Sequence, residues 1–226
     1  MLPELVFVIG ETLNYKITQA NRPVGEVTLT AKERKLVNGV DSLILEARST
    51  GIENGTRPFN LGDSMTTRVN PDTLAPFTYD LKVTGPMATI SQANVVDPRT
   101  GAIAFGASRV DAPIGTHNLL SLIYAMRSFN LKPSKDATNP VNDTRVAVFW
   151  QTKPYVFTLR PSNADTITIA GEKVAAQVIT INTGNPLLDS ATIKIWLSLE
   201  NSRVPLRIIV GSYQADLIIK DLTNFR

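Results

Sequence analysis

The side chains best suited to chemistry stand close together in the middle of the chain. Asp111, His117 and Ser121 supply an acid, a base and a hydroxyl. The last two are four residues apart, one helical turn, which is the reach a base needs to activate a serine nucleophile. Against that reading, no Gly-x-Ser-x-Gly elbow is present, and residues at i and i+4 on a helix meet whatever their function. No catalytic residue is therefore assigned, and His117 is expected to be solvated or bonded to backbone. Paired carboxylates of the glycoside-cleaving kind are formally available from Asp63, Asp72, Asp80, Glu172 and Glu200. Each stands beside a turn or on a polar strand face and reads as a solvated acid. Cysteine is absent and histidine occurs once, which excludes thiol nucleophiles, disulfide frameworks, iron–sulfur clusters and sites needing two imidazoles. Neither an acidic loop of EF-hand spacing nor a Gly-rich phosphate cradle is found, so no metal and no cofactor is expected.

The elements that must position these residues follow from composition and period. A chain of 226 residues, 43% hydrophobic, can bury one substantial core, and residues 1–226 are read as a single β-rich domain. The net charge of +3 comes from 23 basic and 20 acidic residues scattered along the chain, too weak a bias to indicate nucleic acid or an anionic membrane. The Lys32, Arg34, Lys35 cluster is broken by Glu33 and Asp41 and reads as a solvated hairpin tip. Leu5–Ile9, the longest apolar run near the start, is far short of the roughly 20 residues that span a bilayer, and no transmembrane helix is expected. No signal peptide is visible, so any secretory signal is expected to have been removed.

Thr, Val and Ile make up 61 of the 226 residues, a β-branched load that favours pleated surfaces. Short alternating runs recur between turn signals, from Leu13–Ile17 through Pro76–Val83 and Met87–Ser91 to Arg145–Trp150, Tyr155–Leu159, Asp165–Ile169 and Gln214–Lys220. Asn38-Gly39, Gly85-Pro86, Thr152-Lys153-Pro154 and Ala170-Gly171 mark turns. The pattern predicts consecutive hairpins: a curved antiparallel sheet of about a dozen strands, forming an open barrel or sandwich.

One segment has helical period. Leu119, Leu122, Met126 and Phe129 fall on one stripe about three turns long, with Thr116 or Asn118 as the cap. This single helix is predicted to cover the concave face of the sheet. Leu120, Tyr124 and Arg127 share its adjoining edge, with Arg127 expected to pair with Asp111 or Glu200 and Tyr124 to meet the sheet rim. Trp150, Tyr155, Phe157 and Trp196 lie in strands, as core or as cavity lining, and Arg203 is placed to stack on Trp196.

Several stretches resemble a bacterial family of exported proteins known as domain of unknown function 3108. Gly10-Glu11-Thr12-Leu13-Asn14-Tyr15 is similar to its Gly-Glu-x-Leu-x-Tyr opening, and Asn70–Pro76 to its turn before the next strand. Asn118–Arg127 resembles Asp-x-Leu-Ser-x-x-Tyr-x-x-Arg, and Trp196–Pro205 resembles Trp-Leu-Ser-x-Asp-x-x-Arg-x-Pro. Asn118 and Glu200 replace the aspartates of that pattern. The resemblance implies export to a periplasmic or cell-envelope location and implies no activity.

The functional expectation is an envelope binding or carrier module, not an enzyme, holding a lipid or other apolar ligand between sheet and helix. Ser121, Tyr124, Arg127, Trp150, Trp196 and Arg203 are its candidate lining residues. The alternative is a structural or protein-interaction domain with a filled core and an envelope protein as partner.

Overall fold

The computed structural model describes residues 5–52, 63–85, 88–135, 138 and 140–218. Fourteen strands run in chain order: β1 Thr12–Gln19, β2 Arg22–Val37, β3 Val40–Ile52, β4 Ser64–Val69, β5 Pro76–Gly85, β6 Ala88–Val96, β7 Ile103–Phe105 and β8 Ser108–Val110 precede a helix, α1 Leu119–Met126. After it come β9 Thr144–Trp150, β10 Lys153–Ile169, β11 Glu172–Asn182, a one-turn helix α2 Pro186–Asp189, β12 Ile193–Ser198, β13 Pro205–Val210 and β14 Tyr213–Leu217. All the strands form one antiparallel sheet in the order β8-β7-β6-β5-β4-β3-β2-β1-β14-β13-β12-β11-β10-β9. The expected curved, open antiparallel architecture is the one found.

The strands form for the reasons legible in their alternation. In β1, Leu13, Tyr15 and Ile17 are buried while Thr12, Asn14 and Lys16 are exposed, a period of two that puts one face on the core. The Ala20-Asn21, Asn38-Gly39 and Ala170-Gly171 turns all take positive φ, the twist that two-residue hairpins need. Two local readings are corrected. Tyr155–Leu159 and Asp165–Ile169 belong to one 17-residue strand, in which a bulge between Pro161 and Ala164 accommodates the proline. The turn before that strand is Gln151-Thr152, and Pro154 already pairs with Phe149. Pro86 and Met87, part of another expected turn and run, lie outside the described residues.

The helix is shorter than its stripe. Asn118 is the cap: its Oδ1 accepts from Ser121 N at 2.9 Å, and Ser121 Oγ accepts from Asn118 N at 3.1 Å, closing a capping box. After Met126 the chain continues in tighter i→i−3 turns, Ser128 N to Ala125 O and Phe129 N to Met126 O, so Phe129 stays on the apolar side without a third helical turn. Nor does α1 merely cover a face. Leu120, Tyr124 and Ala125 pack with Leu13, Tyr15, Leu29, Leu43 and Leu45, whereas Leu122 and Met126 pack with Val148, Phe157, Leu159, Ile179 and Leu197. Helix α1 is thus an interior element between two walls of the same curled sheet, which is why six of its eight residues are buried.

Candidate functional site

The two ends of α1 carry two buried polar clusters. At the C-terminal end, Arg127 is fully buried and its guanidinium grips the Glu11 carboxylate at both oxygens, at 2.5 and 2.9 Å. Its third nitrogen, Nε, donates to Ser202 O at 2.9 Å. The fork geometry of arginine suits this bidentate hold, and the Phe7 ring lies 5.0 Å from the guanidinium carbon. Tyr15 donates to Pro205 O at 2.7 Å. Burial pushes the Tyr15 and Tyr124 phenols up from their ordinary range, with Glu11 adding to both shifts. Tyr124 packs edge-on against Phe7, and its hydroxyl has no partner among the described residues.

Arg127 therefore pairs with Glu11 and not with Asp111 or Glu200, both of which are exposed. Glu11 is nearer in space because β1 runs beneath the helix, and an exposed acid could not neutralise a buried cation. Nor does Arg203 stack on Trp196. It donates to Phe129 O at 2.6 Å and to Gln177 Oε1 at 3.2 Å, fastening the segment after α1 to β11. Trp196 is half-buried and packs against the larger core cluster.

At the N-terminal end the groups are neutral. His117 Nδ1 lies 3.1 Å from Ser121 Oγ, Asn118 Nδ2 donates to Thr67 Oγ1 at 3.0 Å, and Thr116 donates to Pro113 O at 2.6 Å. Burial pushes the His117 pKa down to about 4, opposed by a backbone hydrogen bond with Leu74. His117 and Ser121 thus meet as their spacing predicts, but Ser121 is wholly buried, Asp111 is exposed, and Ser121 Oγ is already shared with the Asn118 backbone. A nucleophile without access to solvent or to a third, orienting carboxylate lacks the geometry of a hydrolytic triad. Of the candidate carboxylates, Asp72, Asp80, Glu172 and Glu200 are exposed as expected, whereas Asp63 is buried beside β3, its carbonyl accepting from Ser49 N at 2.9 Å. Among the described residues, no group of three or more His, Cys, Asp or Glu side chains is placed to hold a metal ion.

Trp150 stands apart from both clusters, at the seam where the sheet curls back on itself. Here the Phe105 and Phe149 rings approach to 5.6 Å, and Gln92 Nε2 donates to Gln151 O at 3.2 Å. A cavity of about 40 Å³ sits in the seam, lined by Met65, Tyr79, Leu81, Gln92, Leu119, Phe149, Trp150 and Gln151. The structure brings Ser121 to one end of the helix and Tyr124 and Arg127 to the other. It does not gather Trp150, Trp196 and Arg203 with them.

The charged cluster draws on three separate stretches: Glu11 and Tyr15 from the first, Tyr124 and Arg127 from the second, Ser202 and Pro205 from the third. A family model described as a protein of unknown function, DUF3108, matches residues 14–218. The chain belongs to that family. No curated protein and no solved structure matches it. Three of the stretches noted in the sequence, the opening one, the helix and Trp196–Pro205, thus meet in space at this cluster. Glu11 and Tyr15 are the members that reasoning about sites passed over. The available signal was Glu11 itself, an acid set between Ile9 and Leu13 in the opening stretch, where a buried cation must find its partner.

Among the described residues no helix is long and apolar enough to cross a membrane.

Proposed function

We propose that this DUF3108 protein is a structural or protein-interaction domain of the cell envelope, working through its outer surface rather than through an internal ligand site. The single observation that carries the reading is the close packing around α1 among the described residues. Helix α1 is buried against two walls, its C-terminal end is occupied by the Arg127–Glu11 pair, and the seam cavity measures about 40 Å³. Small-molecule sites run to roughly 300–1,000 Å³, whereas this space suits a water molecule or two. The absence of catalysis in the proposal rests on the burial of Ser121 and on the scatter of the candidate acids, four of them exposed and Asp63 buried. The envelope location rests on the exported character of the family that the sequence resembles.

A surface for such a partner is the tip of the β2–β3 ribbon. β1 pairs with β2 only as far as Thr30, and β4 reaches β3 only at Leu43, so residues 33–42 project beyond their neighbours. Leu36 (72% exposed) and Val40 (44%) are displayed there between ion pairs such as Arg34–Asp41. Unpaired strand edges beside exposed apolar side chains are a known route of strand addition.

The second reading, a carrier for an apolar or amphiphilic ligand, is favoured by the apolar lining of the seam cavity, Trp150 included. Photo-crosslinking in the native envelope separates the two. With the crosslinker at position 36, the proposal expects a discrete protein adduct that is missing when it is placed at exposed position 172. An acyl-chain adduct from position 150, with no protein adduct from position 36, would overturn it.

A further inference from the structure

The two ends of the sheet are not paired strand to strand, yet one segment crosses between them. Residues 111–118 leave β8 and run to the outer edge of β9, where His117 makes the backbone connection: its N–H donates to Ala147 O at 2.9 Å, and its carbonyl accepts from Phe149 N at 2.8 Å. Two turns of the same design hold this segment from behind. In one, Asn70 Oδ1 accepts from Asp72 N and Thr73 N, and Asn70 N donates to Ala75 O. In the other, Asp97 Oδ1 accepts from Arg99 N and Thr100 N, and Asp97 N donates to Ala102 O. Each places a positive φ at its fifth residue, Leu74 or Gly101. Leu74 supplies the backbone bond to the His117 ring, while Gly101 lies against the segment so closely that a Cβ there would stand 2.1 Å from Ala112 O.

From this arrangement we infer that residues 111–118 form a latch across the seam of the sheet, released by protonation of His117, whose opening uncovers the apolar seam around Phe149, Trp150 and Leu119. The ring ties together three elements that otherwise meet only by packing: the β9 edge through its backbone, α1 through Ser121, and the β4–β5 turn through Leu74. Nothing near it can take up a positive charge. The groups against the ring are the Ser121 hydroxyl, the Leu74 backbone and the Phe129 ring, with centroids 6.5 Å apart in the last case. The charged residues on the packed elements are Asp72 in the turn, Asp111 in the latch and Arg145 on β9, all exposed, and Arg127 at the far end of α1 is spent on Glu11. A buried imidazolium without an acidic partner is costly, so the open form takes the proton first.

Linkage sets the size of the effect. Between an open-state pKa of about 6.5 and the buried value of about 4, one extra proton on the open form raises the opening equilibrium about tenfold per pH unit. The test uses the intact protein, in which His117 is the only histidine, so its ring signals are read without overlap. Amide hydrogen exchange, corrected for intrinsic pH dependence, is followed at His117, Phe149 and, for reference, Tyr15 from pH 7 to pH 4.5. The expected result is exchange at His117 and Phe149 at least tenfold faster at pH 4.5 than at pH 7 and ahead of Tyr15, which opens only with the whole fold, at every pH, with loss of the pH response in His117→Gln. Seam amides that exchange no faster than Tyr15, or a pH response that persists in His117→Gln, would overturn the latch. If His117→Gln fails to fold, the parent protein still decides: protection of the seam amides must begin to fall near pH 6.5, where a freed imidazole titrates, and protection that stays flat down to pH 4.5 overturns the latch.

Discussion

The two ends of α1 solve the same problem in opposite ways. Both must bury polar atoms between two apolar walls, because the helix lies inside the curl of the sheet. The N-terminal end uses neutral groups, with side chains close in sequence: Asn118 and Ser121 satisfy each other, His117 stands beside Ser121, and Thr67 is the side-chain partner from a distant strand. The C-terminal end uses charge and distance, joining Arg127 to Glu11 across 116 positions and to Ser202 across 75. A neutral local cluster can be disturbed piecemeal, because each member loses one modest hydrogen bond. A buried ion pair fails as a unit, because removing one partner strands the other's charge in a medium that cannot solvate it. The difference teaches that the C-terminal cluster is where the sheet's opening strand, its helix and its β12–β13 loop are made interdependent.

The largest effect should come from breaking the charged end. Arg127→Met is expected to cost about 3–5 kcal/mol in urea unfolding, because Glu11 is left charged and buried. The neutral end should reveal itself through pH. His117 has its folded-state pKa depressed, so it contributes nothing above about pH 6.5, where both states are neutral. As pH falls from about 6.5 to about 4 the unfolded chain takes the proton first, and stability drops by about 3 kcal/mol, a loss that His117→Gln should remove from the pH profile of unfolding. Asn118→Ala removes the cap and the bond to Thr67, with an expected cost of about 1–2 kcal/mol by thermal unfolding. The smallest effects separate two tyrosines in the charged cluster. Tyr15→Phe abandons the Pro205 carbonyl and should cost about 1 kcal/mol, whereas Tyr124→Phe deletes an unpartnered hydroxyl and should be neutral or slightly stabilising. Equal losses for both would mean that the Tyr124 hydroxyl has a partner in solution.

How much of this was legible depends on the range of each interaction. Alternation in β1 and the Asn38-Gly39 turn are local, and they announced hairpins directly. The Asn118 cap and the His117–Ser121 contact are likewise readable, because a helix fixes what stands one turn away. What spacing could not reveal was the partner of Arg127. Any acid would satisfy the residue type, and only the curl of the sheet selects Glu11 over Asp111 and Glu200. The same curl hid the second buried face of α1: Leu120 and Tyr124 read, with Arg127, as an edge beside the apolar stripe, whereas a wall of β1 to β3 packs against Leu120, Tyr124 and Ala125. The continuity of Tyr155–Leu159 with Asp165–Ile169 was hidden for a different reason, since a bulge lets one strand run on through Pro161 where an unbroken ladder would stop.

A double-mutant cycle on Glu11 and Arg127 tests most directly whether the opening segment and helix α1 are locked together in a closely packed core. Stability is measured for the parent, Glu11→Leu, Arg127→Met and the paired substitution. The account expects a coupling of at least about 2 kcal/mol, with the double variant recovering much of what either single change loses. Additive losses, or an Arg127→Met protein as stable as the parent, would contradict it.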